Sequence, residues 1–145
     1  ATLIVNDYWQ IALDQGCDFV HLGQEDMDTA DFKALKAGGV KIGLSTHTPE
    51  ELDRALQCDP DYIALGPIYP TVLKDMIFPP QGLERISEWK RIIGNIPLVA
   101  IGGLTPERAK LVLQAGADSA CVVTDILRHA DPEARTREWI DTLRG

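Results

Sequence analysis

Apolar, largely β-branched runs recur at residues 3–5, 19–22, 40–44, 62–65, 98–101 and 120–123, each nearly continuous rather than alternating. That pattern suits strands covered on both faces, as in parallel sheets. Between the runs, polar and apolar positions fall at helical spacing, as in "TPEELDRALQ" and "TPERAKLVLQAG". Thr48-Pro49, Thr105-Pro106 and Asp131-Pro132 read as helix starts, with a capping side chain followed by proline at the first helical position. Gly16, Gly38 and Gly116 follow helical stretches, where a left-handed residue closes the last turn. The chain thus reads as six βα units, which implies an α/β fold with a parallel sheet and helices outside it. A doubly wound sheet and a TIM (β/α)₈ barrel both fit. A complete barrel has eight units and about 250 residues, so six units in 145 residues, a single domain over 1–145, is two units short.

Polar and glycine residues collect where the strands end. Asn6-Asp7, Gly23-Gln24-Glu25-Asp26, Ser45-Thr46-His47, Gly66-Pro67, Gly102-Gly103 and Thr124-Asp125 each follow an apolar run. In parallel α/β folds that edge is where sites are built. Asp7 and Asp26 end successive strands and offer two hard oxygen ligands, a set that suits Mg²⁺ when phosphate and water complete the shell. Either aspartate could instead cap the helix that follows it. Glu25 reads as a solvated neighbour. "GGLTP", residues 102–106, leads from a strand into a helix, where glycines allow close approach and free N–H groups face an anion; a plain turn is the alternative. The longest irregular stretch, "GPIYPTVLKDMIFPPQG" at residues 66–82, reads as a functional loop. It carries Lys74, a cation for anions or a solvated charge, and Met76, Ile77 and Phe78, which suggest a part that packs down as a lid.

Histidines divide by position. His47 is either an acid–base group or a structural hydrogen-bonding residue, His21 lies in a strand and reads as barrel interior, and His129 as surface. Trp89 and Trp139 fall on helix faces and read as core.

Composition narrows the function classes. A net charge of −8 argues against a general binder of nucleic acid or anionic membrane. Cys17, Cys58 and Cys121 lack CxxC spacing and read as buried, reduced thiols of a soluble, cytoplasmic protein. No apolar run reaches membrane-spanning length.

Taken together, "VND", "VHLGQEDM", "IGLSTHTPEE", "DYIALGPIYPT" followed by Lys74, "PLVAIGGLTPE" and "AGADSACVVTDI" resemble the thiamine-phosphate synthase family, in order and over essentially the whole chain. The resemblance implies a TIM barrel that joins hydroxymethylpyrimidine diphosphate to hydroxyethylthiazole phosphate, giving thiamine phosphate and diphosphate. It implies that Asn6 contacts the pyrimidine diphosphate and that Asp7 and Asp26 hold Mg²⁺. It further implies that Ser45 hydrogen-bonds the diphosphate and Lys74 neutralises it. Gly103, Val123 and Thr124 would hold the thiazole phosphate, with Thr71, Val72 and Leu73 reaching the same substrate. Its partners are small molecules, and a homo-oligomer is compatible with it.

The sequence departs from the family in two places. Thr71-Val72-Leu73 stands where Thr-Pro-Thr is usual, and the first two βα units, which carry part of the diphosphate grip, are missing from the pattern. Expected from this is a fragment, an incompletely resolved barrel, or one completed by another segment. Two rival readings follow: a thiazole tautomerase, which the changed loop favours and the Asp7, Asp26 and Lys74 set opposes, and an inactive fragment that binds phosphate.

Overall fold

The computed structural model describes residues 1–71 and 78–145. The chain forms two compact units, Ala1–Ala64 and Leu65–Gly145.

In the first unit β1 (Val5–Asn6), α1 (Trp9–Asp14), β2 (Phe19–Leu22), α2 (Phe32–Ala37), β3 (Lys41–Thr46) and α3 (Pro49–Gln57) alternate, and β4 (Tyr62–Leu65) runs to the unit's end. β1 pairs parallel with β2, with Asn6 opposite His21, and β2 pairs parallel with β3, with His21 opposite Gly43. Val20, Leu22, Ile42 and Leu44 are fully buried with Leu35, Leu52 and Ala55 of the helices. Two-residue periodicity therefore turns His21, Gly43 and Ser45 to the other face of their strands. β1 is shorter than its apolar run: Leu3 and Ile4 are exposed and outside any strand. Apolar character alone does not make a strand where no ladder partner is paired. β3 is longer than its run and takes in Ser45 and Thr46, whose hydroxyl donates to the Ala64 carbonyl at 2.8 Å.

In the second unit α4 (Gly82–Ile93), β5 (Leu98–Ile101), α5 (Pro106–Gln114), β6 (Ser119–Cys121), α6 (Thr124–Leu127) and α7 (Pro132–Arg144) follow in turn. β5 and β6 pair parallel, Ile101 opposite Cys121. Trp89 and Trp139 are buried, as their helix positions suggest. The Asp125 carboxylate ties the start of α6 to α7, accepting from Arg135 Nε at 2.8 Å and Nη2 at 3.0 Å and from the Trp139 indole N–H at 2.8 Å.

Helix ends follow the sequence signals closely. Thr48, Thr105 and Asp131 each accept a hydrogen bond from the backbone N–H three residues on, with proline at the first helical position. Gly16 and Gly116 adopt positive φ, but after α2 the left-handed residue is Gly39 (φ 75°) rather than Gly38 (φ −80°). Gly38 is required for space instead, since a Cβ there would meet Leu13 Cδ1 at 2.6 Å. The cysteines are free but only partly buried, and burial raises the Cys121 thiol pKa. Among the described residues no helix is long and apolar enough to cross a membrane.

Candidate active site

The strand ends of the first unit bring the first group of polar side chains together. Asp7 follows β1 with φ 73°, a left-handed conformation that aspartate tolerates better than most residues. That turn keeps the Asp7 N–H on the His21 carbonyl of β2 (2.9 Å) while the Asp7 carbonyl accepts from Trp9 N–H (2.9 Å) at the head of α1. Tyr8, not Asp7, occupies the capping position of α1. The Asn6 amide donates to Asp7 Oδ2 at 3.0 Å. Asp26 heads the short 3₁₀ turn Asp26–Asp28, and its Oδ2 folds back to accept from Gly23 N–H at 3.1 Å, over the end of β2. The two carboxylates thus belong to the ends of neighbouring, parallel-paired strands.

Ser45 lies one strand further on. Its hydroxyl sits 2.7 Å from His21 Nε2, and Tyr62 OH sits 2.6 Å from His21 Nδ1. Burial lowers the His21 pKa, with the nearby Asp26 charge opposing the shift. Gln24 Nε2 donates to the Ser45 carbonyl at 2.8 Å, and Arg54 Nη1 donates to the Gln24 carbonyl at 3.1 Å while pairing with Asp28. His21, Tyr62 and Gln24 therefore join this group of polar side chains, although the sequence places His21 only in the barrel interior, shows Gln24 only as one of the polar strand-end residues and gives Tyr62 no role. The available signal was period-two spacing: with Val20 and Leu22 in the core, His21 must face the side that Ser45 faces. His47 packs at the start of α3. Its N–H donates to Glu51 Oε2 at 2.6 Å and its Nδ1 lies 2.8 Å from the same oxygen, bracing the first turn of α3.

The second unit holds a separate group around the glycine turn. Gly102 and Gly103 adopt φ 108° and 66°. A Cβ on Gly102 would meet Pro67 Cα at 2.5 Å, and one on Gly103 would meet the Pro70 carbonyl oxygen at 2.4 Å. Residues 67–70 lie directly on the turn, where Tyr69 N–H donates to the Gly102 carbonyl at 3.0 Å. Arg108, from the first turn of α5, donates to the Gly103 carbonyl at 2.7 Å and stacks on the Tyr69 ring at 4.4 Å. Sequence reading missed Arg108, an exposed arginine whose role depends on which ring lies beneath it. Val123 and Thr124 do not extend β6, which ends at Cys121; they cap and open α6. The 66–82 loop is tied at both ends, with Gln81 N–H on the Pro67 carbonyl (2.7 Å) and Gly82 N–H on the Ile68 carbonyl (3.1 Å). Thr71 is partly buried, whereas Val72, Leu73, Lys74, Met76 and Ile77 lie outside the described residues.

The family described as thiamine monophosphate synthase matches residues 1–126. A thiamine-phosphate synthase of Rhizobium etli is 62% identical over 138 residues, covering 95% of this chain and 68% of that protein. One from Neisseria meningitidis serogroup A is 48% identical over 132 residues, covering 91% of this chain and 64% of that protein. The solved structure of thiamine phosphate pyrophosphorylase from Pyrococcus furiosus superposes with a TM-score of 0.83 at 30% identity, over 99% of this chain and 68% of that one. The chain therefore spans roughly two thirds of the length of these relatives. Its six βα units are those of a TIM-barrel fold, one of the two architectures that the repeat pattern left open and the one that the family resemblance implied. By family match and by identity alike, the chain belongs to the thiamine monophosphate synthase family.

Proposed function

We propose that this chain carries most of the site of a thiamine-phosphate synthase, a transferase that couples hydroxymethylpyrimidine diphosphate with hydroxyethylthiazole phosphate. The observation that carries the reading is the placing of Asp7, Asp26 and Ser45 at the ends of three consecutive parallel-paired strands. Anionic ligand chemistry at such an edge needs cation ligands and hydroxyl donors side by side.

The donor set fits Mg²⁺. Asp7 and Asp26 supply two carboxylates, and among the described residues no cluster of three or more His, Cys, Asp or Glu builds an all-protein cage. Mg²⁺ is commonly held by one or two carboxylates with substrate phosphates and water filling the remaining positions. When bound, it neutralises charge on the diphosphate and so improves the leaving group. Asn6 orients Asp7 and meets the pyrimidine substrate, and Ser45 donates to a diphosphate oxygen. Lys74 adds a positive charge to the same group.

Breaking the bond between the pyrimidine methylene and the diphosphate oxygen leaves the electron pair on diphosphate. The electron-rich aminopyrimidine carries the resulting cation, and the thiazole nitrogen lone pair closes the new C–N bond. The protein's task is to position and screen, with no covalent enzyme intermediate. Gly103, Val123 and Thr124 hold the thiazole phosphate, and Thr71, Val72 and Leu73 reach the same substrate. The working setting is the cytoplasm, with small-molecule partners.

Coupling of the two substrates at varied Mg²⁺ concentration tests this reading. Asp7→Ala is expected to lower kcat/KM by about a hundredfold or more. Coupling unchanged in Asp7→Ala, or isomerisation of the thiazole phosphate without Mg²⁺ in place of coupling, would overturn it.

A further inference from the structure

Tyr62, His21 and Ser45 form one hydrogen-bonded row inside the first unit, with contacts of 2.6 and 2.7 Å on the two ring nitrogens of His21. Several features build that row. His21 lies opposite Gly43 in the β2–β3 ladder. A Cβ on Gly43 would fall 2.0 Å from Tyr62 Cζ, so the bare glycine is what admits the phenol ring. That ring stacks on the imidazole with centroids 5.6 Å apart and planes 18° apart, and packs on Phe19 at 5.5 Å. Gln24 Nε2 donates to the Ser45 carbonyl at 2.8 Å and so holds its backbone. Pairing of β2 with β3 needs none of these side-chain contacts.

The directions of the hydrogen bonds follow from the chemistry of the groups. A neutral imidazole offers one donor and one acceptor. A phenol is a stronger acid than a serine hydroxyl, so Tyr62 O–H donates to Nδ1, which leaves the proton on Nε2. Nε2–H then donates to Ser45 Oγ. With that lone pair occupied, the Ser45 proton is directed away from His21.

We infer that Tyr62 and His21 are positioning residues that set the Ser45 hydroxyl as an outward-directed donor to the diphosphate. The inference rests on the reading that Ser45 meets that diphosphate. It also explains why a tyrosine follows Asp61 at the start of β4 and a glycine interrupts β3: both are conditions for the row.

Imidazole ¹⁵N spectra of the wild-type protein, with His21 assigned by its loss in His21→Gln, read the tautomer without any substrate. The expected form is Nε2–H with Nδ1 unprotonated; an Nδ1–H tautomer overturns the inference. Kinetics supply the second arm. Tyr62→Phe is expected to lower kcat/KM for the pyrimidine diphosphate about tenfold and to leave KM for the thiazole phosphate unchanged. In a Ser45→Ala background the same substitution is expected to cost less than about twofold. An equal loss in both backgrounds overturns the inference, because it would act independently of Ser45. A wild-type protein that does not couple the two substrates defeats the synthase reading and with it the diphosphate as the acceptor, while the tautomer still decides whether Tyr62 and His21 set the Ser45 hydroxyl outward.

Discussion

Asp118 and Leu98 clasp each other in both directions: Asp118 N–H donates to the Leu98 carbonyl at 2.8 Å, and Leu98 N–H donates to Asp118 Oδ2 at 2.8 Å. Asp61 and Ile42 do the same in the first unit, at 2.7 and 2.8 Å. In each case an aspartate just before a strand satisfies the N–H at the start of its neighbour, so the parallel ladder begins without an orphaned donor. The device sits at the opposite end of the strands from the polar cluster, where side chains serve stability.

Removing this carboxylate should therefore cost stability and leave catalysis alone. Asp118→Ala is expected to lose about 1–2 kcal/mol in chemical denaturation, chiefly from the stranded Leu98 N–H. The Lys90 ammonium, 2.8 Å away, lowers the Asp118 pKa, helped by the Leu98 N–H and opposed by burial. A depressed folded-state pKa gives stability that is present above the unfolded value, about 3.9, and is lost as pH falls through the lower folded value. Wild type and Asp118→Asn should differ at pH 7 and converge in that acidic window. A constant difference across it would show that the charge on Asp118 contributes nothing.

Glycine substitutions should rank by space as well as by φ. Gly102→Ala faces both a φ of 108° and a Cβ only 2.5 Å from Pro67 Cα, a backbone atom that cannot swing aside. Gly16→Ala meets a φ of 63° but nothing within 4 Å. Expected losses are about 3 kcal/mol or more for Gly102→Ala and about 1–2 kcal/mol for Gly16→Ala. Urea melts of the two variants decide this, and equal losses would mean that the 67–70 segment moves freely off the glycine turn.

That ranking marks the boundary of what sequence could show. The repeat, the parallel pairing and the capped starts of α3, α5 and α7 were legible because each is written in local chemistry: β-branched runs, Thr-Pro and Asp-Pro pairs. Asp7, Asp26 and Ser45 were legible as strand-end residues for the same reason. Contacts between residues far apart in the chain were not. Nothing near His21 announces that Tyr62, forty-one positions on, reaches its ring, and "GG" at 102–103 reads as an anion turn although its first demand is room for Pro67 and Pro70. Val123 reads as strand because its run is apolar, with Thr124 at the strand's end; backbone pairing stops at Cys121, and the chain turns into α6.

Arg108 offers a test of the glycine turn as half of a phosphate site. Its guanidinium bridges the Gly103 carbonyl and the Tyr69 ring, so it joins the turn to the segment that leads towards Thr71. The arginine is exposed, and its stacking and single hydrogen bond are worth at most about 2 kcal/mol to the fold. Arg108→Ala should therefore melt close to wild type while raising KM for the thiazole phosphate several-fold, with KM for the pyrimidine diphosphate unchanged. Arg108→Lys keeps the charge but lacks the planar fork that stacks and donates at once, so it should recover only part of the loss. Steady-state kinetics with each substrate varied in turn separate these outcomes. A rise in both KM values would place Arg108 in general stability. Unaltered kinetics in both variants would remove the turn's anchoring from the account of thiazole phosphate binding.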